Sequence, residues 1–312
     1  MLCLRHAATV VCASALLVGC GAGKNPDDGT GLEGDGGSGG FHVDSGAGGD
    51  GGLNVDGLVD DAPGPPPSDC PEELKQIYAV TEGNELYRFA PATLAMTRIG
   101  TVSCPTSGFG GATPFSMAVD RKGVGWVLFS DGHIFHVSTK DASCTATSFV
   151  PDQSGFHTFG MAFVSDSAGS SSESLYVADY ASKGVARIDT GTLALKVVGN
   201  YGGKSPGAGE LTGTGDARMF AFFNKTPSSV AQLDPATSAI MAEKPVPGLT
   251  VGLGWAFAHW GGDFWLFTAP SGSSKVTQFD FASGTGKDVV TGLGYVIVGA
   301  GVSTCAPTKP PK

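Results

Sequence analysis

The sequence is poor in positive charge. Nineteen Lys and Arg stand against 29 Asp and Glu, a formal net charge of −10 over 312 residues. Without a basic surplus there is no electrostatic footprint for nucleic acid, and no nucleic-acid partner is expected. Groupings that hold metals or carry out nucleophilic catalysis are also missing. His133 and His136 lie three apart, and positions i and i+3 of a strand face opposite sides. No Cys or acid cluster accompanies them, so a surface or loop position is expected for both. His157 and His259 stand singly, and no Ser–His–Asp set can be read from spacing. No metal and no cofactor are expected.

The charge deficit is unevenly placed. Residues 21–69 hold ten acids (Asp27, Asp28, Glu33, Asp35, Asp44, Asp50, Asp56, Asp60, Asp61 and Asp69) and one base, Lys24. Sixteen of these 49 residues are Gly, and Pro63-Gly64-Pro65-Pro66-Pro67 lies near the end. With so few large apolar groups the segment cannot offset its ordering entropy. It reads as a disordered tether spanning on the order of 40 Å root-mean-square. Gly48–Asp56 resembles a Ca²⁺-binding nonapeptide, but a single copy cannot stack on itself, so a solvated linker is the better reading. Residues 70–312 carry 17 bases and 19 acids, so the remaining head is close to neutral.

The first twenty residues read as a leader. Arg5 and His6 precede an apolar run, Ala7–Val18, too short to span a bilayer as a helix. Leu17-Val18-Gly19-Cys20 resembles the lipobox of bacterial lipoproteins, which implies lipidation at Cys20. Lipid chains bury many CH₂ groups at ~0.8 kcal/mol each, so a multiply acylated terminus stays in the membrane. Gly21 follows, with no Asp to act as an inner-membrane retention signal. The expected location is therefore exported and lipid-anchored at the outer membrane, on its periplasmic or its outer face.

One pattern recurs five times: Leu86–Thr93, Ile134–Thr139, Val185–Thr190, Val230–Thr237 and Val276–Asp280. Its anchors Phe89, Val137, Ile188, Leu233 and Phe279 recur at intervals of 48, 51, 45 and 46 residues. A period in the forties built from short alternating strands indicates a β-propeller or another repeat fold. Each repeat reads as four strands: a small apolar one (Phe115–Val119, Phe159–Phe163), a strong β-former (Gly125–Phe129, Leu175–Ala178, Met219–Phe223, Phe264–Phe267), the recurring motif, and a polar outer strand. The chain enters at Gln76–Val80, which matches a second strand, and finishes at Tyr295–Gly299, which matches a first. The last segment should therefore complete the first blade and close a five-bladed ring. The expected division is 1–20 leader, 21–69 linker, 70–305 all-β propeller and 306–312 flexible tail.

Four Cys remain in the head, and an even number in an exported protein points to two disulfides. The topology puts Cys305 after a first strand and Cys70 before the second strand of the same blade, so this pair should latch the ring. Cys104–Cys144 follows by elimination, although the ends of the outer strands that carry them should lie on opposite faces unless 105–113 bends back.

Met117-Ala118-Val119-Asp120-Arg121-Lys122-Gly123-Val124-Gly125-Trp126-Val127 resembles the AVD-x-x-G-x-x-Y-V phrase of NHL-type and SMP-30-like bacterial propellers, closely in this blade and loosely elsewhere. The whole layout resembles uncharacterised myxobacterial surface lipoproteins, which implies no particular activity. The repeated signatures of WD40 and kelch propellers are absent.

First-strand starts surround one mouth of the central channel, and four of five carry an aromatic: Phe115, Phe159, Trp255 and Tyr295. With Glu210 they form the candidate ligand site, able to stack a sugar or flat apolar ligand. The other reading is packing between blades. A glycosidase would need opposed carboxylates across the channel. The acids nearest an inner strand are Glu210 and Asp216, with no acid opposite at Ser116, Gly160 or Val296. Lactonase-type propellers hold a divalent cation with inner-strand acids and amides, positions that are Ser, Gly, Thr, Ala and Val here. The expectation is a monomeric, non-enzymatic binding or scaffold module for an envelope protein or a glycan. The alternatives are a divergent glycan-active hydrolase and a structural subunit of an envelope complex.

Overall fold

The computed structural model describes residues 70–105 and 111–311. The leader, the linker and Cys20 lie outside the described residues. From Cys70 a 3₁₀ turn, Glu72–Lys75, leads into β1 (Ile77–Thr81), β2 (Glu85–Ala90) and β3 (Ala95–Thr101). Then follow β4 (Pro114–Val119), β5 (Val124–Phe129), β6 (Ile134–Ser138) and β7 (Cys144–Ala146). The third group is β8 (Phe159–Ser165), β9 (Glu173–Asp179), β10 (Val185–Ile188) and β11 (Leu195–Gly199). The fourth is β12 (Ala208–Gly213), β13 (Met219–Asn224), β14 (Ser229–Leu233) and β15 (Ile240–Pro245). The last is β16 (Trp255–Trp260), β17 (Asp263–Thr268), β18 (Lys275–Asp280) and β19 (Thr285–Val290), before β20 (Ile297–Val302).

These strands form five antiparallel four-stranded sheets, four of them built from consecutive strands and the other in the order β20-β1-β2-β3. The protein is therefore a five-bladed propeller in which β20 completes the first blade. The closing strand runs Ile297–Val302 rather than Tyr295–Gly299, and Gly301 pairs with Tyr78. The apolar run from Tyr295 misleads because Val296 and Ile297 are both buried, so burial does not mark where pairing starts. Within the expected 306–312 tail, Ala306 is buried and the Pro307 carbonyl accepts from the Gly261 N–H at the β16–β17 turn, while Lys309, Pro310 and Pro311 are exposed.

The core is divided by seam. Five buried clusters occur among the described residues, each joining two neighbouring blades. In β8, Phe159, Met161 and Phe163 face the second blade, while Ala162 and Val164 face the fourth. In β16, Trp255 and Phe257 face the fourth, while Ala256, Ala258 and Trp260 face the first. This is the period of two expected of a strand, applied between stacked sheets. Each large side chain so enclosed contributes about 1.5–3 kcal/mol. The inner strands approach one another closely. A Cβ on Gly160 would overlap the backbone of Gly209 and Glu210, and one on Gly299 would meet Ser116 and Met117 backbone atoms at 2.8–2.9 Å.

Both disulfides form, Cys70–Cys305 with Cα atoms 5.4 Å apart and Cys104–Cys144 with Cα atoms 4.9 Å apart. The supposed separation of Cys104 from Cys144 fails because sheets twist. Three steps of roughly 20–25° turn an outer strand well away from the inner one. The end of β3 thus swings to the second blade, where a Cβ on Gly100 would lie 3.1 Å from Ala142.

Candidate functional site

The starts of the inner strands bring four residues together at one mouth. Glu210, in β12, is wholly buried. Its Oε1 accepts from the Tyr180 hydroxyl at 2.5 Å and its Oε2 from the Ser116 hydroxyl at 2.8 Å. Three blades thus meet at one carboxyl group. Burial pushes that carboxyl up to about 8, against the lowering effect of the two hydrogen bonds. Tyr180 also stacks on Trp255 (5.2 Å between centroids) and tilts over Phe115 (4.6 Å). Burial and the Glu210 carboxyl raise its phenol well above the ordinary value.

Phe115, Glu210 and Trp255 are therefore neighbours through Tyr180, which sequence reasoning missed. A signal for it existed: the end of a second strand is level with the start of its first, as the Phe159–Asp179 pairing shows, so the next residue, Tyr180, belongs to the same mouth. Phe159 and Tyr295 are placed differently. Phe159 is fully buried in the seam between the second and third blades, edge-on to Phe149. Tyr295 precedes β20 and stacks on Tyr87 at 4.5 Å.

Asp216 is not gathered with Glu210. It lies beyond the far end of β12, paired with Arg218 (2.8 Å) and accepting from Thr214. Four strand residues from Glu210 to Thr214 alone span ~13 Å, more than the ~6.5–9.5 Å between the carboxyls of inverting glycosidases. The neighbouring His259 is enclosed between Phe220 and Phe264, and its imidazole is pushed down to about 4, chiefly by burial.

A second polar knot closes the opposite mouth. Glu173 accepts from the Arg121 backbone N–H (2.8 Å) and the Thr304 hydroxyl (2.7 Å), and Arg121 reaches the Cys70 sulfur. Burial pushes Glu173 up to about 7. Asp120, from the AVD-x-x-G phrase, caps the β4–β5 turn by accepting the N–H groups of Lys122 and Val124, both at 2.9 Å. No three His, Cys, Asp or Glu among the described residues gather where they could hold a metal ion. His133 sits beside Asp131, while His136 packs edge-on to Trp126 at 4.2 Å.

An open concavity lies elsewhere, where the first and second blades diverge. It is a cleft of about 500 Å³ whose walls include Leu74, Tyr78 and Ile99 from one side and the turns at Gly123 and Thr139 from the other. Arg88, Arg98, Lys122 and Lys140 line it, with Glu73 as its one carboxylate.

No protein-family model matches the chain, and no curated protein matches it. Among solved structures it is similar to a chain of a nidogen/laminin complex, with 14% identity, a TM-score of 0.47, and coverage of 77% of this chain and 83% of that one. It is also similar to a protein of unknown function from Bacteroides thetaiotaomicron, with 15% identity, a TM-score of 0.41, and coverage of 63% and 55%. A third, of unknown function from Bacteroides caccae, has 11% identity, a TM-score of 0.44, and coverage of 72% and 97%. These likenesses concern the fold and nothing finer.

Proposed function

We propose that this protein is an exported binding module, lipid-anchored through Cys20 and carried on its acidic 21–69 segment, that contacts an envelope protein or glycan without turning it over. The observation that carries the reading is the engagement of Glu210. Both its oxygens are held by Ser116 and Tyr180 inside a wholly buried site. A carboxyl in that position ties blades together and presents no free oxygen to a substrate. The two disulfides support export, since such bonds persist in oxidising compartments.

The alternative of a glycan-active hydrolase draws on the same residue, because a carboxyl raised to about 8 holds the proton that a general acid must deliver. A glycan array followed by incubation of each bound glycan with the protein separates the two. The expected result is a retained glycan that is not cleaved, or, if no glycan binds, an envelope protein captured by crosslinking in intact cells. Cleavage that disappears in Glu210→Gln would replace this reading with the hydrolase.

A further inference from the structure

Elsewhere on the head, cations pair with carboxylates, as Lys75 does with Glu72, Arg218 with Asp216, Lys225 with Glu243 and Lys275 with Asp288, or stand apart on outer strands, as Lys196, Lys244 and Lys287 do. The cleft between the first two blades instead gathers four cations around one hollow. Arg98 there pairs with Glu85 at 2.7 Å, but Arg88, Lys122 and Lys140 have no carboxylate partner among the described residues. Asp141, next to Lys140, is turned to the hydroxyl and N–H of Ser143.

The cations come from separate, well-anchored elements. Arg88 lies mid-strand in β2, paired with Tyr78 on one side and Thr97 on the other. Arg98 is in β3. Lys122 sits on the turn capped by Asp120, and Lys140 on the turn between β6 and β7, where the Thr139 hydroxyl donates to the Gly123 carbonyl at 2.7 Å. Converging like charges repel, and on a nearly neutral head nothing in the fold requires them to share one hollow. The floor is apolar, formed by Leu74, Tyr78 and Ile99. The volume falls within the range of small-molecule sites, which combine apolar walls with a few convergent polar groups. The Arg88 guanidinium adds the capacity for a bidentate bond to carboxylate, sulfate or phosphate.

We propose that this cleft binds a compact polyanion: a ligand of roughly disaccharide size carrying two or more carboxylate, sulfate or phosphate groups. The proposal rests on the reading of the protein as a binding module and gives that module a place and a ligand chemistry. Such a ligand would neutralise Arg88, Lys122 and Lys140 while its body covers Tyr78 and Ile99.

The test is calorimetric titration of the full chain with three anionic probes: a sulfated heparin-derived disaccharide, digalacturonic acid and inositol hexakisphosphate. Cellobiose serves as the neutral control. At least one anionic probe should bind, and its Kd should rise about tenfold or more from 50 to 300 mM NaCl. The tightest probe identifies the sulfated, carboxylated or phosphorylated source. Arg88→Gln with Lys122→Gln, which removes charge and keeps bulk, should weaken binding at least about tenfold. Lys196→Gln with Lys287→Gln, on outer strands away from the cleft, should leave it unchanged. Absence of binding by all three anions would overturn the proposal, as would equal loss in both double variants. A neutral glycan retained on the array while none of the three anions binds would sink the polyanion cleft and leave the binding-module reading standing.

Discussion

Glu210 shows how one side chain can set a protein's response to pH. Its unfolded carboxyl titrates near 4.5 and its folded one at about 8. Between these values the folded state keeps a proton that the unfolded state has released. Stability is therefore full below about 4.5 and is lost as pH rises toward 8. Glu173, raised to about 7, acts in the same sense. His259 acts oppositely: with its folded value near 4 against 6.5 unfolded, its contribution is lost as pH falls through that window. From pH 6.5 to 8, above the unfolded histidine value, the two acids dominate among the described residues. Denaturant titrations at pH 5, 6.5 and 8 should show wild type weakening over the upper interval. Glu210→Gln should remove the larger part of that slope, a contribution of roughly 1.5–2 kcal/mol over the interval, and a variant as steep as wild type would show that Glu210 is not the titrating group. The importance of Glu210 was legible because it is the acid set within an inner strand. Its partners were not, because Ser116 and Tyr180 lie 94 and 30 residues away in sequence.

At the scale of the element, the recurring motif encodes a turn as well as a strand. Five residues after each anchor, at Leu94, Ala142, Leu193, Ser238 and Gly284, the backbone is left-handed, with φ between 58° and 71°. In three blades an Asp caps the same turn: Asp189, Asp234 and Asp280 accept N–H groups two residues on at 2.8–3.0 Å. Only Gly284 adopts this conformation without steric cost, and a β-carbon there costs roughly 1–2 kcal/mol. Leu94 is 37% exposed, so Leu94→Gly gives up part of a covered side chain and adds unfolded-state entropy, and the relief of strain should offset much of that loss, leaving the head within about 1 kcal/mol of wild type. A loss of about 2 kcal/mol or more in urea titration would count against strain at this turn. Strand identities were readable because alternation and β-forming side chains are local properties. The start of β20 was not, since its first pairing depends on where β1 lies. The fate of Phe159 was also hidden: a first-strand start can point into a seam or toward the mouth, and the sequence carries both kinds.

At the scale of the whole molecule, β20 and the Cys70–Cys305 bond join the two ends of the ring. The bond closes 235 residues, for which chain entropy gives a nominal gain of about 5 kcal/mol. Replacing both Cys with Ala should cost about 2–5 kcal/mol and should loosen the β20–β1 pairing within the first blade before the others, read by hydrogen exchange at Ile77–Thr81 and Ile297–Val302. Uniform loss of protection across all five blades would show that the latch does not act on that pairing in particular. From the sequence alone came the number of blades, the closing of the first by the last strand, the latch and its partner bond, and the uneven division of charge, because repeat period, strand alternation and composition are written locally along the chain. Only the tertiary structure decided that inner-strand side chains fill seams instead of lining a channel, that a Ser and a Tyr from two other blades hold Glu210, and that cations distant in sequence border one cleft. Those outcomes depend on how twisted sheets stack against one another, and the angle and depth of that stacking belong to pairs of blades, which no single stretch of residues encodes.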